Sequence, residues 1–299
     1  MEQQIRDAYW SLAAAQAQER IAGINRDEAQ RLYDLTKKQQ AAGASPTADV
    51  IRSSIDLANA KQALIAAKTA DRTALIAFNT LLAQPPGTPQ SLKDDLASES
   101  AASPKATVPS LQAMNKDAQS ERPLLKASQA QVDSARYTLR QTEATRWPDL
   151  TVDYERSLRQ SIDSVVFSAN FPLVDFGSLS GQVKSAREAQ TQARAQHEQN
   201  KQLVRQQVAQ ARGDLTDALE SATSYSDEIV EPSKKLLEMA KLGYEQGATG
   251  ILPVIDAEST LRNARVGFIG ALLAVYKAQD EVLAATGTGA LSLRQEVGP

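Results

Sequence analysis

Cysteine is absent from the 299-residue chain, and histidine occurs once, at His197. The first absence excludes disulfides, thiolate metal sites and a cysteine nucleophile; the second excludes any site that needs two imidazoles. Neither a metal nor a cofactor is expected. Aromatic residues make up 5% of the chain against a hydrophobic share of 42%, so a core has to be assembled from Ala, Leu and Val. No charge of one sign prevails, because 33 Lys and Arg face 36 Asp and Glu. The basic excess that phosphate backbones select is missing, and no nucleic acid partner is expected. The longest apolar run, Val266 to Tyr276, is about half of the roughly 20 residues an α-helix needs to cross a bilayer. Spanning by β-strands stays open. Phosphate loops and triad spacings are not visible, and Gly177-Ser-Leu-Ser-Gly181 puts Leu179 where a nucleophile elbow needs its nucleophile. An enzyme is not expected.

What the chain does have is an internal repeat. An offset of 204 positions lays Gly43-Ala44-Ser45 on Gly247-Ala248-Thr249 and Val50-Ile51 on Val254-Ile255. Leu57, Ala60, Leu64, Ala67 and Ala74 then fall on Leu261, Ala264, Phe268, Ala271 and Ala278. In the second copy, apolar residues recur at 3-4-3-4 spacing from Val254 to Val282, which puts them on one helical seam. The first copy breaks this stripe at Ser53 and Asp71. A further helical pattern starts near Gln182, with Val204, Val208, Ala211, Leu215, Ala218 and Ala222 in the same register. Unbroken to Gln246 it would run for roughly 100 Å at 1.5 Å per residue, with Pro232 expected to kink it. Such lengths fit a coiled coil or a helical tube.

Short turns join the long helices. In Gly43-Ala44-Ser45-Pro46, Gly43 suits the left-handed position after a helix, Ser45 is expected to cap the next helix, and Pro46 suits its first turn. The second turn keeps Gly247 and Thr249 but carries its proline later, at Pro253. The fold class read from these patterns is mainly α: long antiparallel coiled-coil hairpins in two structural repeats, with one β-hairpin. The expected organisation is a first helical hairpin over 1–84, a Pro/Ser-rich linker over 85–110 and a shorter helical segment over 111–146. There follow the β-hairpin over 147–177, the second long helical hairpin over 178–287 and a C-terminal tail over 288–299.

In the β-hairpin, Leu150, Val152 and Tyr154 alternate with Thr151, Asp153 and Glu155, and Phe167, Ala169 and Phe171 alternate with Val166, Ser168 and Asn170. One apolar and one polar face suit both a lipid-facing barrel wall and any half-buried hairpin. Trp147 and Tyr154 are candidates for an interfacial belt or for packing beneath the hairpin. His197 falls in a polar layer of a helical seam, where a hydrogen-bonded structural role outweighs a ligand role. The stretch around Glu188 to Gln210, rich in Gln, Ala and Arg, reads as a solvated helix face or a wet tunnel lining.

The order and spacing of four segments resemble the TolC family of trimeric outer-membrane efflux channels. These are Ala118-Gln-Ser-Glu-Arg-Pro-Leu-Leu-Lys-Ala127, Trp147-Pro-Asp-Leu-Thr-Val152, Phe171-Pro-Leu-Val-Asp-Phe-Gly177 and Gly247-Ala-Thr-Gly-Ile-Leu-Pro-Val-Ile-Asp-Ala257. The resemblance covers nearly the whole chain. It implies a homotrimer that forms a β-barrel in the outer membrane and an α-barrel across the periplasm. The function it implies is a passive conduit for small molecules or ions, docked to a periplasmic adaptor and an inner-membrane transporter. The alternative is a soluble coiled-coil scaffold or adaptor, which needs the helices but no amphipathic strand pair.

On this resemblance the two tip turns would contact the adaptor through Gly43, Ala44, Ser45, Asp49 and Val50, and through Gly247, Ala248, Thr249, Val254 and Ile255. Leu150, Val152, Tyr154, Phe167, Ala169 and Phe171 would face lipid. Asp256 is the gate candidate, since the family often carries acidic residues just after the second tip, where their field favours cations. Pro253 stands where some members have another Asp, so three copies would supply only a thin acidic ring. The repeat offset also implies that the first copy lacks its own β-hairpin. Two strands per protomer leave a trimer short of the ~8 strands of the smallest outer-membrane barrels. The opening residues carry neither a basic nor an apolar leader region. The native protein is therefore expected in the outer membrane and periplasm, and the chain as given is expected to be truncated at its N-terminus and to stay soluble without detergent.

Overall fold

A computed structural model describes residues 2–93, 96, 108–157, 162–170 and 177–288. The elements in chain order are α1 (Glu2–Ala41), α2 (Thr47–Leu81), α3 (Leu111–Glu121), α4 (Pro123–Ala144), β1 (Asp149–Ser157), β2 (Ile162–Asn170), α5 (Ser178–Ser224), a π-helical turn (Tyr225–Val230), α6 (Glu231–Glu245) and α7 (Leu252–Thr286). They divide into two compact units. The first holds Met1–Leu111 and Ala209–Ala285, the second Gln112–Val208 and, of the described residues at the end of the chain, 286–288. The fold is mainly helical with one antiparallel strand pair among the described residues, as the periodicity predicts.

In the first unit, the seam predicted on α7 is buried at Val254, Ala257, Leu261, Ala264, Ala271, Val275, Ala278 and Val282. Small residues allow close helix approach, and α1 supplies its share through Leu12, Ala13, Ala14 and Ala17. Ser53, which interrupts the seam of α2, is buried and shares a hydrogen bond of 2.7 Å with the equally buried Thr36 hydroxyl. The polar residue is tolerated there because its partner is polar too. Asn79 is fully buried and organises the proline-rich loop after α2. Its amide donates to the carbonyls of Pro86 (3.0 Å) and Thr88 (2.8 Å), and its side-chain oxygen accepts from Gln90 at 2.8 Å. Trp10 stacks on Tyr276 at 4.0 Å and donates its indole N–H to Asp280 at 2.9 Å.

Three local expectations change. Ser45 does not cap α2: Pro46, extended at ψ 150°, is the residue before the helix, and the Ser45 hydroxyl reaches the Asp49 carboxylate at 3.4 Å instead. Pro232, expected to kink the long helix, stands in the first turn of α6 directly after the π-helical turn, so the pattern that starts near Gln182 is α5, the turn and α6 in succession rather than one unbroken α-helix. The segment from Leu111 to Thr145, which lies in the second unit from Gln112 onward, is two helices. Pro123 forces Arg122 out of helical geometry, to ψ 117°, and so ends α3. Within that unit His197 is buried in α5 and shares a hydrogen bond of 2.8 Å with Ser128 of α4.

Candidate functional site

The two glycine turns have the same construction. After α1, Gly43 takes a φ of 73°, its N–H donates to Gln40 O at 2.9 Å, and the Ala44 N–H donates to Gln39 O at 2.8 Å. After α6, Gly247 takes a φ of 69°, its N–H donates to Tyr244 O at 3.0 Å, and the Ala248 N–H donates to Gly243 O at 2.9 Å. Both are Schellman motifs, in which a left-handed residue lets two backbone donors close the last helical carbonyls. A side chain at either glycine would strain this left-handed backbone.

Side chains bring the two turns together. The Tyr244 hydroxyl, at the end of α6, donates to the side-chain oxygen of Gln39 at the end of α1. Burial pushes the Tyr244 hydroxyl above its ordinary range, nearby Asp49 adds to the rise, and a hydrogen bond with Ser45 opposes it. Asp49 is buried and paired with Arg52 at 3.4 Å.

The predicted tip residues therefore separate by depth. Gly43, Ala44, Gly247, Ala248 and Thr249 are exposed, while Ser45, Val50 and Ile255 are half-buried. Val254 is 0% exposed, packed in a cluster with Leu32, Leu237, Tyr244 and Ile251. It supports the second turn from inside and presents no surface.

Asp256 is exposed and borders a cleft of ≈ 680 Å³ between α1, α2 and α7. The same cleft holds a pair that sequence reading passed over: Arg262 donates to both carboxylate oxygens of Asp56, at 2.6 and 3.3 Å. Beside it Glu258 is 2% exposed, with Lys241 at 3.5 Å and Arg262 at 4.0 Å, and its Oε2 has no hydrogen-bond partner. Burial pushes the Glu258 carboxyl above the usual range; Lys241 and Arg262 pull it back, and Asp56 and Glu28 push it further. A signal existed in the chain, since Glu258 falls one turn after Val254 on the buried side of α7 and four residues before Arg262.

The strand pair sets Leu150 opposite Ala169, Val152 opposite Phe167 and Tyr154 opposite Val165. These six side chains share one face, and all are exposed, Phe167 at 78%. Val165 completes the face and was not among the predicted residues; Val166 points the other way, with Asp153 opposite. Phe171 lies outside the described residues. No helix of the described residues is long and apolar enough to cross a membrane.

Residues 115–288 match the family described as outer membrane efflux protein. The cobalt-zinc-cadmium resistance protein CzcC of Cupriavidus metallidurans is 24% identical over 281 residues, which are 93% of this chain and 66% of CzcC. The pyoverdine export outer membrane protein OpmQ of Pseudomonas aeruginosa is 23% identical over 304 residues, 97% of this chain and 62% of OpmQ. Among solved structures, the outer-membrane channel OprN superposes with a TM-score of 0.70 at 22% identity, over 95% of this chain and 65% of OprN. The chain thus spans somewhat less than two thirds of the curated relatives it matches.

Proposed function

Because the chain belongs to the outer membrane efflux protein family, we propose that it acts as one protomer of a passive outer-membrane conduit in a tripartite export system. The observation that carries this reading is the hairpin's apolar face. Six apolar side chains stand in water with no described residue over them, whereas a strand pair in a soluble scaffold would bury that face. In a barrel wall the same face meets lipid, and the polar face, with Asp153 and Glu155, meets the lumen.

The paired tips suit contact with a periplasmic adaptor that links the conduit to an inner-membrane transporter. Their exposed backbone at Gly43, Ala44, Gly247, Ala248 and Thr249 would meet the partner. Asp49, Val50, Val254 and Ile255 would hold that surface in shape, with Ser45 tying Asp49 to Tyr244. Asp256 remains the gate candidate, since an exposed carboxylate after the tip can set the sign of the field at a narrowing lumen. The cargo is small molecules or ions. One relative is named for cobalt-zinc-cadmium resistance and another for pyoverdine export, and such different names within one family support a conduit whose selectivity is set by the pump.

The test is made in bacteria that depend on the native gene for export. Val152→Asp with Phe167→Asp should abolish recovery in the outer-membrane fraction and export-dependent growth, because a charged side chain on the lipid face of a barrel strand is destabilising. Thr151→Asp, on the polar face, should leave both intact. Equal tolerance of all three substitutions would reject the conduit and favour a scaffold.

A further inference from the structure

A second, smaller cavity of ≈ 240 Å³ lies in the first unit between α1, α6 and α7, and Glu258 lines it. The residue is 2% exposed and its Oε2 has no hydrogen-bond partner. Neither neighbouring cation supplies one. Lys241 of α6 stands 3.5 Å from Oε1 and is 42% exposed. Arg262 is 4.0 Å from Oε2 and gives its donors to Asp56 of α2 at 2.6 and 3.3 Å. A carboxylate buried in this way is left to take up a proton or to receive a donor from outside the chain.

The other charged groups facing Glu258 are accounted for by pairing or by water. On α1, Glu28 has Arg265 at 3.7 Å, and Arg31 is exposed. On α6, the Tyr244 hydroxyl is engaged with Gln39. Glu245, which also lines the cavity, is exposed and has no ion pair among the described residues. Two carboxylates, one deep and one at the mouth, are therefore unclaimed, and between them Leu32, Leu35 and Val254 supply an apolar wall.

Size and chemistry select the occupant. The space corresponds to roughly eight units of the ~30 Å³ that a water fills in the liquid, the bulk of a short chain with a polar group at each end. A divalent metal ion gathers several oxygen ligands at once, and no three His, Cys, Asp or Glu among the described residues are grouped to hold one. An ammonium asks for less: it carries donors only, so one carboxylate anchors it while its methylenes cover apolar surface.

We propose that this cavity binds a small linear diammonium ion. One ammonium donates to the Glu258 carboxylate, the methylenes lie against Leu32, Leu35 and Val254, and the second ammonium reaches Glu245 at the mouth. Leu32, Val254 and Tyr244 belong to one packed cluster, so the bound ion braces α1, α6 and α7 beside the second glycine turn. Binding needs the ionised carboxylate and competes with the proton that burial favours on Glu258. Affinity therefore rises with pH. The site lies within one unit of one chain and is independent of the conduit reading.

The test is calorimetric titration of the 299-residue chain with putrescine, the four-carbon diamine, at pH 8. Salt at about 0.15 M screens attraction to exposed charges. One saturable site should appear. The uncharged diol of the same length should not bind, and butylamine should bind more weakly than putrescine. Glu258→Gln, which keeps the side chain's shape, should lower affinity at least about tenfold while the helical circular dichroism stays unchanged. Glu245→Gln should weaken putrescine and leave butylamine as it was. Glu238→Gln, exposed on α6 and outside the cavity, should change nothing. At pH 5 binding should be weaker and should release protons, read as a heat that depends on the ionisation enthalpy of the buffer.

Absence of a saturable site, equal binding of the diol, or full affinity in Glu258→Gln would each overturn the proposal. So would several weak sites indifferent to both cavity substitutions, which would mean general attraction of a cation to acidic surface. None of these outcomes bears on the conduit, whose own test is the outer-membrane fractionation above.

Discussion

Ala83 sits at a φ of 54°, the left-handed position after α2, where its N–H donates to Thr80 O at 3.2 Å and that of Gln84 donates to Asn79 O at 2.9 Å. This is the bonding of the two glycine turns, made with a residue whose Cβ is strained there. Ala83→Gly should therefore raise stability by about 0.5–1 kcal/mol, seen as a higher urea midpoint at unchanged slope. Glu258 makes the opposite case, a residue whose charge costs stability. Its folded-state pKa is raised, so the native chain holds the proton more tightly than the unfolded one. Its contribution is favourable at low pH and is lost as pH rises from the ordinary value of about 4.3 through the folded one. Glu258→Gln should consequently be more stable than the parent at pH 8, and the gap should close toward pH 4 in paired urea titrations; a gap constant with pH would refute the assignment. Neither position stands out in the sequence. An alanine shows no sign of positive φ, and a glutamate one turn after a seam valine looks like a surface charge until α1, α2 and α6 close over it.

Among the elements, the π-helical turn has a visible lock. A Cβ on Gly267 of α7 would lie 2.5 Å from Cε1 of Tyr225, the first residue of the turn. The ring occupies the notch that the missing side chain leaves. Gly267→Ala should lower stability by about 1–3 kcal/mol, the usual cost of overpacking, despite alanine's better helix propensity. In a Tyr225→Ala background the same substitution should become neutral or stabilising, and a double-mutant cycle in urea measures the coupling. Helix existence and seam register were legible because a 3-4 spacing of Ala, Leu and Val over many turns admits few other readings. The break at Arg122 was written in the chain as Arg-Pro, yet strong periodicity on both sides masked it. The π turn was signalled only indirectly, by Pro232.

For the whole molecule, the β-hairpin stands apart from the helical economy. Its apolar face is exposed among the described residues, so it adds little burial to either unit. Replacing 149–170 by a short flexible loop should leave the helical circular dichroism and the urea midpoint of the first unit nearly unchanged, while abolishing outer-membrane recovery of the native protein. A large drop in midpoint would mean that the hairpin is a buried structural element and would count against a lipid-facing role. The proposed conduit and adaptor contact both draw on surfaces that are apolar or backbone-rich and left open by one chain. Such surfaces make sense in an assembly, where a neighbour or a membrane removes them from water.

The amino-acid sequence by itself determined the helical class, the repeated glycine turns, the α7 seam and the alternation of the hairpin, because each is a local pattern read at a period of 3.5 or 2 residues. Tertiary structure alone decided which of those residues are available to a partner. Val254 and Asp49 belong to the tip in sequence yet lie beneath its surface, and Ile51 and Met239 are large and apolar yet face outward. Periodicity states that a helix has an apolar side. Only the packing of the other helices states whether that side is already covered.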